Sequence, residues 1–138
     1  MEPDFEFWLE GLPPTTNKAY VPVGNHLQLS TAGRHYKQDV RTQLLALVDE
    51  TMVLSPDHWY GLSLTYYFPA LLTKGKSAKF PMLRIDTTNR EKLLVDTICE
   101  VLGVDDAIFK VVRQEKEEGP ERVHVQLVRL HAFVDTAT

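Results

Sequence analysis

A single cysteine, Cys99, stands in 138 residues, so neither a disulfide framework nor a cysteine-built zinc knuckle can form within the chain. Its setting among Leu94, Ile98 and Leu102 predicts a buried helical position. No apolar stretch is long enough to span a bilayer, which excludes a helical membrane protein. The acidic start Met1-Glu2-Pro3-Asp4 leads into no secretory-type hydrophobic run, so a cytoplasmic location is expected. A positive excess is missing as well: 15 Lys and Arg face 19 Asp and Glu, for a net charge of -4. That excludes a protein that coats nucleic acid by bulk charge. It leaves room for one whose cations are local and whose carboxylates hold metal ions. His26, His35, His58, His124 and His131 form no His-Glu-x-x-His motif, and there is neither a Gly-x-Ser-x-Gly elbow nor a Gly-rich phosphate cradle. His124 is expected on a strand surface. Gln114-Glu115-Lys116 carries Gln where the acid-x-Lys signature of many restriction-type nucleases needs a carboxylate.

What is present is an ordinary globular composition, 43% hydrophobic and 25% charged, at a length that suits one compact domain over residues 1–138. Phe5 to Leu9 reads as a first strand, followed by a rigid exposed turn through Pro13-Pro14 to Lys18. Tyr20–Val23 and His26–Leu29 flank Gly24-Asn25 as a short hairpin. Ser30 or Thr31 caps a helix to about Asp49, with Tyr36, Val40, Leu44, Leu47 and Val48 inward. Arg34, Lys37 and Arg41 make a basic stripe on another face of that helix, a solvated surface by periodicity or, in a sharper reading, a phosphate contact. Strict alternation marks His58 to Phe68 as the clearest strand. A capping box at Thr88-Asn89-Arg90-Glu91 opens a second helix, about Asn89 to Leu102, which Gly103 ends. Strands near Ile108–Glu115 and Arg122–Leu130 follow, then a frayed tail, 131–138. The expected class is α+β: a small mixed sheet with two main helices packed on it.

Charge is distributed unevenly. The loop 70–83 and the start of the second helix hold Lys74, Lys76, Lys79, Arg84, Arg90 and Lys92 against Asp86 and Glu91, a net +4 inside an acidic chain. Loops of that length in small domains are commonly functional or disordered. Asp86 precedes the second helix, and Asp105-Asp106 follow it. If the flanking strands share a sheet, the helix crosses back over it and the two links can meet. Clustered carboxylates repel unless a cation or proton compensates, and such oxygen donors suit Mg²⁺ or Mn²⁺. Asn89, Lys92 and Asp96 fall at i, i+3 and i+7, a polar seam from which Lys92 can reach a phosphate. Metal ions beside a cation are what phosphodiester hydrolysis requires. On spacing alone the simpler reading, helix capping and Asp-Asp turn chemistry, is the stronger one.

The run Arg84-Ile85-Asp86-Thr87-Thr88-Asn89-Arg90-Glu91-Lys92, followed by Gly103-Val104-Asp105-Asp106, resembles the signature of the RusA family of Holliday junction resolvases. Leu12-Pro13-Pro14-Thr15-Thr16-Asn17 is similar to that family's Pro-Pro turn. Ser30-Thr31-Ala32-Gly33-Arg34-His35-Tyr36 resembles the start of its first helix. The resemblance covers most of the chain, in order. It implies a homodimeric, Mg²⁺-dependent endonuclease, often phage- or prophage-borne, that introduces paired nicks into four-way DNA junctions. By position, Asp86, Lys92 and Asp106 take the catalytic places and Asp86, Asp105 and Asp106 the metal places. Lys74, Lys76, Lys79, Arg84 and Arg90 would contact DNA, and Asn89 would steady the loop or orient a ligand. One departure stands out: Thr88 occupies the place of the family's second acid, a neutral and weaker ligand. The alternative it opens is an impaired module that binds junctions without cutting well.

Overall fold

The computed structural model describes residues 2–72 and 90–133. The chain runs β1 (Phe5–Glu10), α1 (Thr16–Ala19), β2 (Tyr20–Val23), β3 (His26–Leu29), α2 (Thr31–Leu47), β4 (His58–Phe68), α3 (Glu91–Leu102), a 3-10 turn (Asp106–Ile108), β5 (Phe109–Glu118) and β6 (Arg122–Ala132). Four strands form one mixed sheet in the order β1-β6-β4-β5, and β2 and β3 pair separately. β6 lies antiparallel to both β1 and β4, whereas β4 and β5 are parallel. That parallel step needs a crossover, and α3 supplies it. The expected α+β class, with helices packed on a small mixed sheet, is what forms.

The sheet is buried on one side. Phe7 and Leu9, then Leu62, Leu64 and Tyr66, then Val123, Val125 and Leu127 are the alternate residues of β1, β4 and β6, all inside the core. Val40 and Leu44 of α2 and Leu94 and Ile98 of α3 join them, so both helices cover the same face. Thr97 is fully buried, and its hydroxyl donates to the Leu93 carbonyl at 2.7 Å. That bond removes the penalty of an orphaned polar group.

Local chemistry sets the boundaries. Ser30 caps α2, its hydroxyl oxygen accepting from the Gly33 N–H at 3.0 Å. The same hydroxyl donates to the Lys18 carbonyl, and the Ser30 N–H donates to the Ala19 carbonyl at 2.8 Å. A Cβ on Gly33 would sit 2.3 Å from that Ala19 oxygen, so glycine is what lets α1 and α2 close on each other. Helix α2 stops at Leu47 rather than near Asp49, because the Asp49 carboxylate accepts from the Thr51 N–H at 2.8 Å and makes a turn. Leu47 is consequently exposed. Gly103, in the left-handed conformation at φ 71°, ends α3, and the Gly103 and Val104 N–H groups both bond the Cys99 carbonyl.

Four expectations are corrected. The Pro13-Pro14 segment is not an exposed turn: Pro13 is buried, and α1 follows with Ala19 fully buried. Helix α3 opens at Glu91 with Arg90 in the capping place, two residues beyond the start of the expected capping box. Ile108 closes a 3-10 turn instead of opening β5, since the Asp105 carboxylate accepts from the Ala107 N–H at 2.8 Å. His131 and Ala132, expected to fray, continue β6; beyond them Phe133 meets Trp59 edge-on at 4.8 Å and donates its N–H to Asp57. Most of the 70–83 loop, from 73 onward, and the tail from 134 lie outside the described residues.

Candidate active site and nucleic-acid interface

Parallel pairing places the start of β5 beside Tyr60, near the beginning of β4, so the Asp105-Asp106 link follows α3 back along the sheet. Both carboxylates are exposed. Asp105 is partly occupied as the cap of the 3-10 turn, the role its spacing suggested. A cap uses one lone pair, however, and leaves most of the carboxylate available. Asp106 has no such duty. Its pKa is raised, first by a hydrogen bond with Asp105, then by partial desolvation and by the charges of Asp105 and Asp96, while Lys92 opposes the shift. Two carboxylates this close favour a shared proton or a cation between them.

Lys92 lies on the exposed side of the first turn of α3. Its Nζ is 3.5 Å from Asp96 Oδ2, one turn further on, and 5.5 Å from the centre of the Tyr20 ring. Lys92, Asp96 and Asp106 share a cleft of about 350 Å³, walled by Val95, Phe109 and Val112. The cleft joins one cation, the carboxylates of Glu91, Asp96 and Asp106, and an apolar wall. In such a place charge interactions are stronger than in open water. Burial, followed by Asp106, Asp96 and Asp105, pushes the Cys99 thiol up to about 12. Cys99 is thus a neutral core residue and no nucleophile.

Of the residues singled out in the sequence, Lys92, Asp105 and Asp106 fall together here, and Arg90 lies just before the helix. Lys74, Lys76, Lys79, Arg84, Asp86, Thr88 and Asn89 lie outside the described residues. Among the described residues no three His, Cys, Asp or Glu side chains are gathered closely enough to hold a metal ion. Asp105 and Asp106 still fit a hard divalent cation by donor type, because both are exposed and offer carboxylate oxygens. No helix among the described residues is long and apolar enough to cross a membrane.

The basic stripe of α2 is used elsewhere. Lys37 and Arg41 both pair with Glu100 of α3, at 2.9 and 2.6 Å, and hydrogen bonding and charge from Lys37, then Arg41, lower the Glu100 pKa. Arg34 donates to the Leu29 carbonyl and the Thr31 hydroxyl. These cations fasten elements together. Sequence reasoning missed Tyr20 as a neighbour of Lys92. It also missed an aromatic stack on the uncovered face of the sheet, where His124 lies on Trp8 at 4.0 Å and Arg122 lies 4.1 Å from the Trp8 ring centre. Only strand register, which puts Trp8 opposite His124, brings these together.

A model of the family described as Endodeoxyribonuclease RusA matches residues 10–128, a span from the end of β1 into β6 that includes every element of the cleft. No curated protein matches the chain.

Proposed function

The chain belongs to the endodeoxyribonuclease RusA family, and from that premise we propose that it is a Mg²⁺-dependent endonuclease resolving four-way DNA junctions by paired nicks. The observation that carries the reading is the meeting of Lys92 with Asp106 in one cleft, where Asp106 adjoins Asp105. In this reading Asp105 and Asp106, with Asp86 from the preceding link, hold Mg²⁺ or Mn²⁺. A divalent ion bound there supplies Lewis acidity toward a phosphodiester. Lys92 stabilises negative charge developing on the phosphate oxygens, a role that needs a preset ammonium rather than a mobile one. Asp96, one helical turn away, orients it. The apolar wall of Val95, Phe109 and Val112 limits solvent screening of that charge.

Lys74, Lys76, Lys79, Arg84 and Arg90 would hold the DNA backbone with little base readout. Asn89 would steady the link, and Thr88 would cap or coordinate through water. Residues 1–138 would act as one unit in the cytoplasm, and two copies related by a twofold axis would present two clefts to a junction with matching symmetry.

The test is cleavage of a labelled four-way junction against a linear duplex of the same sequence, with Mg²⁺ and with chelator. Symmetric nicking of the junction alone, lost on chelation, is the expected result. Tight binding without cutting would overturn the enzymatic reading in favour of an impaired module, and Thr88→Asp would then show whether the missing acid is the cause.

A further inference from the structure

A second concavity, of about 460 Å³, is bounded by Pro13, Lys18, Tyr36, Phe68, Arg90 and Glu121, and shares no lining residue with the Lys92 cleft. Among the described residues, two of its buried polar atoms, Arg90 Nε and the Tyr36 hydroxyl, lack hydrogen-bond partners. The Arg90 guanidinium is fixed, with Nη1 donating to the Pro13 carbonyl at 2.9 Å and the group 5.3 Å from the Phe68 ring centre. Yet its Nε is buried with no hydrogen-bond partner, and among the described residues no carboxylate neutralises it. Tyr36 is only 8% exposed, and its hydroxyl is also unpartnered. Burial, followed by Tyr66 and Asp39, holds the Tyr36 pKa far above its ordinary value, so this hydroxyl remains a donor. Lys18 contributes an exposed ammonium with no ion pair among the described residues. The one carboxylate, Glu121, is on an exposed residue.

Buried donors are normally satisfied, and leaving them unmade costs stability. A rigid fork of N–H donors beside a phenol and a lysine, with Glu121 as the one carboxylate in the lining, matches a phosphate oxygen cluster. The half-buried Leu12 and Pro14 offer apolar surface for an attached sugar. We propose that this pocket binds a non-scissile phosphate of the DNA strand that crosses the Lys92 cleft, with Tyr36 and Lys18 joining Arg90 in holding it. The proposal rests on the endonuclease reading above. Arg90 and Lys92 are two residues apart, so their Cα atoms lie within about 7 Å. The held phosphate would therefore be a near neighbour of the one presented to Lys92, and the pocket would set the register of the strand across the cleft.

The first experiment follows backbone amide resonances of the full chain in chelator, titrated with inorganic phosphate and, separately, with a four-nucleotide thymidine oligomer. Shifts at Thr15, Lys18 and Arg90 with both probes, lost in Lys18→Gln, are expected. Shifts confined to Lys92 and Asp106, or none, would overturn the pocket; a response to phosphate but not to the oligomer would overturn its assignment to a DNA strand. The second experiment measures junction affinity in chelator against salt. Lys18→Gln should weaken binding and reduce the log–log salt slope by about one. Tyr36→Phe should weaken binding while holding or raising Tm, because it deletes an orphaned hydroxyl and keeps the ring. Wild-type affinity in both variants would refute the proposal while leaving the endonuclease reading intact. Phosphate binding by a wild-type chain that does not cleave junctions would refute the endonuclease reading and leave the pocket standing.

Discussion

Two sets of basic residues flank α3 and do opposite work. On one side Lys37 and Arg41 of α2 converge on Glu100 at under 3 Å, their charge consumed in joining two helices. On the other, Lys92 has, among the described residues, a carboxylate no nearer than 3.5 Å, at Asp96, and faces an open cleft with Asp106. Both sets look alike in sequence, each a cation on the polar side of an amphipathic helix. The partner distinguishes them: a cation with a close carboxylate is fastened, whereas one poised over a gap can take a ligand.

The comparison is broken most severely at Asp106. Asp106→Asn should abolish cleavage in the junction assay while binding, measured by gel shift in chelator, is kept or tightened, because a negative charge facing phosphate is lost. Lys92→Ala is expected to lower the cleavage rate roughly 10²–10³-fold, the usual loss when one preorganised charge stabiliser is removed; single-turnover rates at wild-type rates would sink its assigned role. Lys37→Met with Arg41→Met should leave single-turnover cleavage near wild type and lower Tm by only a few degrees, since exposed pairs contribute little. A collapse of cleavage in that double variant would erase the distinction drawn here.

The smallest effect is one of pH. The Glu100 carboxyl is held below its ordinary value by Lys37 and Arg41. Its contribution is therefore complete above the unfolded-state pKa and fades as pH falls through the lower folded value. Glu100→Gln should flatten the acid limb of a Tm-against-pH curve slightly and leave the neutral region almost unchanged.

How much of this was legible in the sequence varied with the range of the interaction. The alternation in His58–Phe68, the Ser30 cap and the Gly103 stop are local signals, and the structure follows them. The start of α3 was misread because a distant contact decides it: the Arg90 side chain is held by the Pro13 carbonyl and the Phe68 ring. Helix α1 was missed since its four residues depend on packing against Gly33 and Ser30, which no local window contains. The motif pieces at Pro13-Pro14 and Ser30–Tyr36, separate in sequence, line one concavity through Pro13, Pro14, Ala32 and Tyr36. Asp105 and Asp106 were identified, but their division of labour, one capping and one open to the cleft, required coordinates.

Among the described strands β1 pairs with β6 alone, Phe5 against Leu127 through Glu10 against Arg122, and this has a kinetic consequence. Its partner strand lies more than 110 residues further along the chain, so β1 stays an unpaired apolar segment while β4, α3 and β5 assemble. Closing so long a loop late makes β1 the expected latecomer in folding. Its edge position also makes it the first element to detach transiently from the native sheet. The Lys92–Asp106 cleft, built from α3 and the start of β5, holds no β1 residue in its lining and would survive such an excursion, insulated from fraying at the sheet edge.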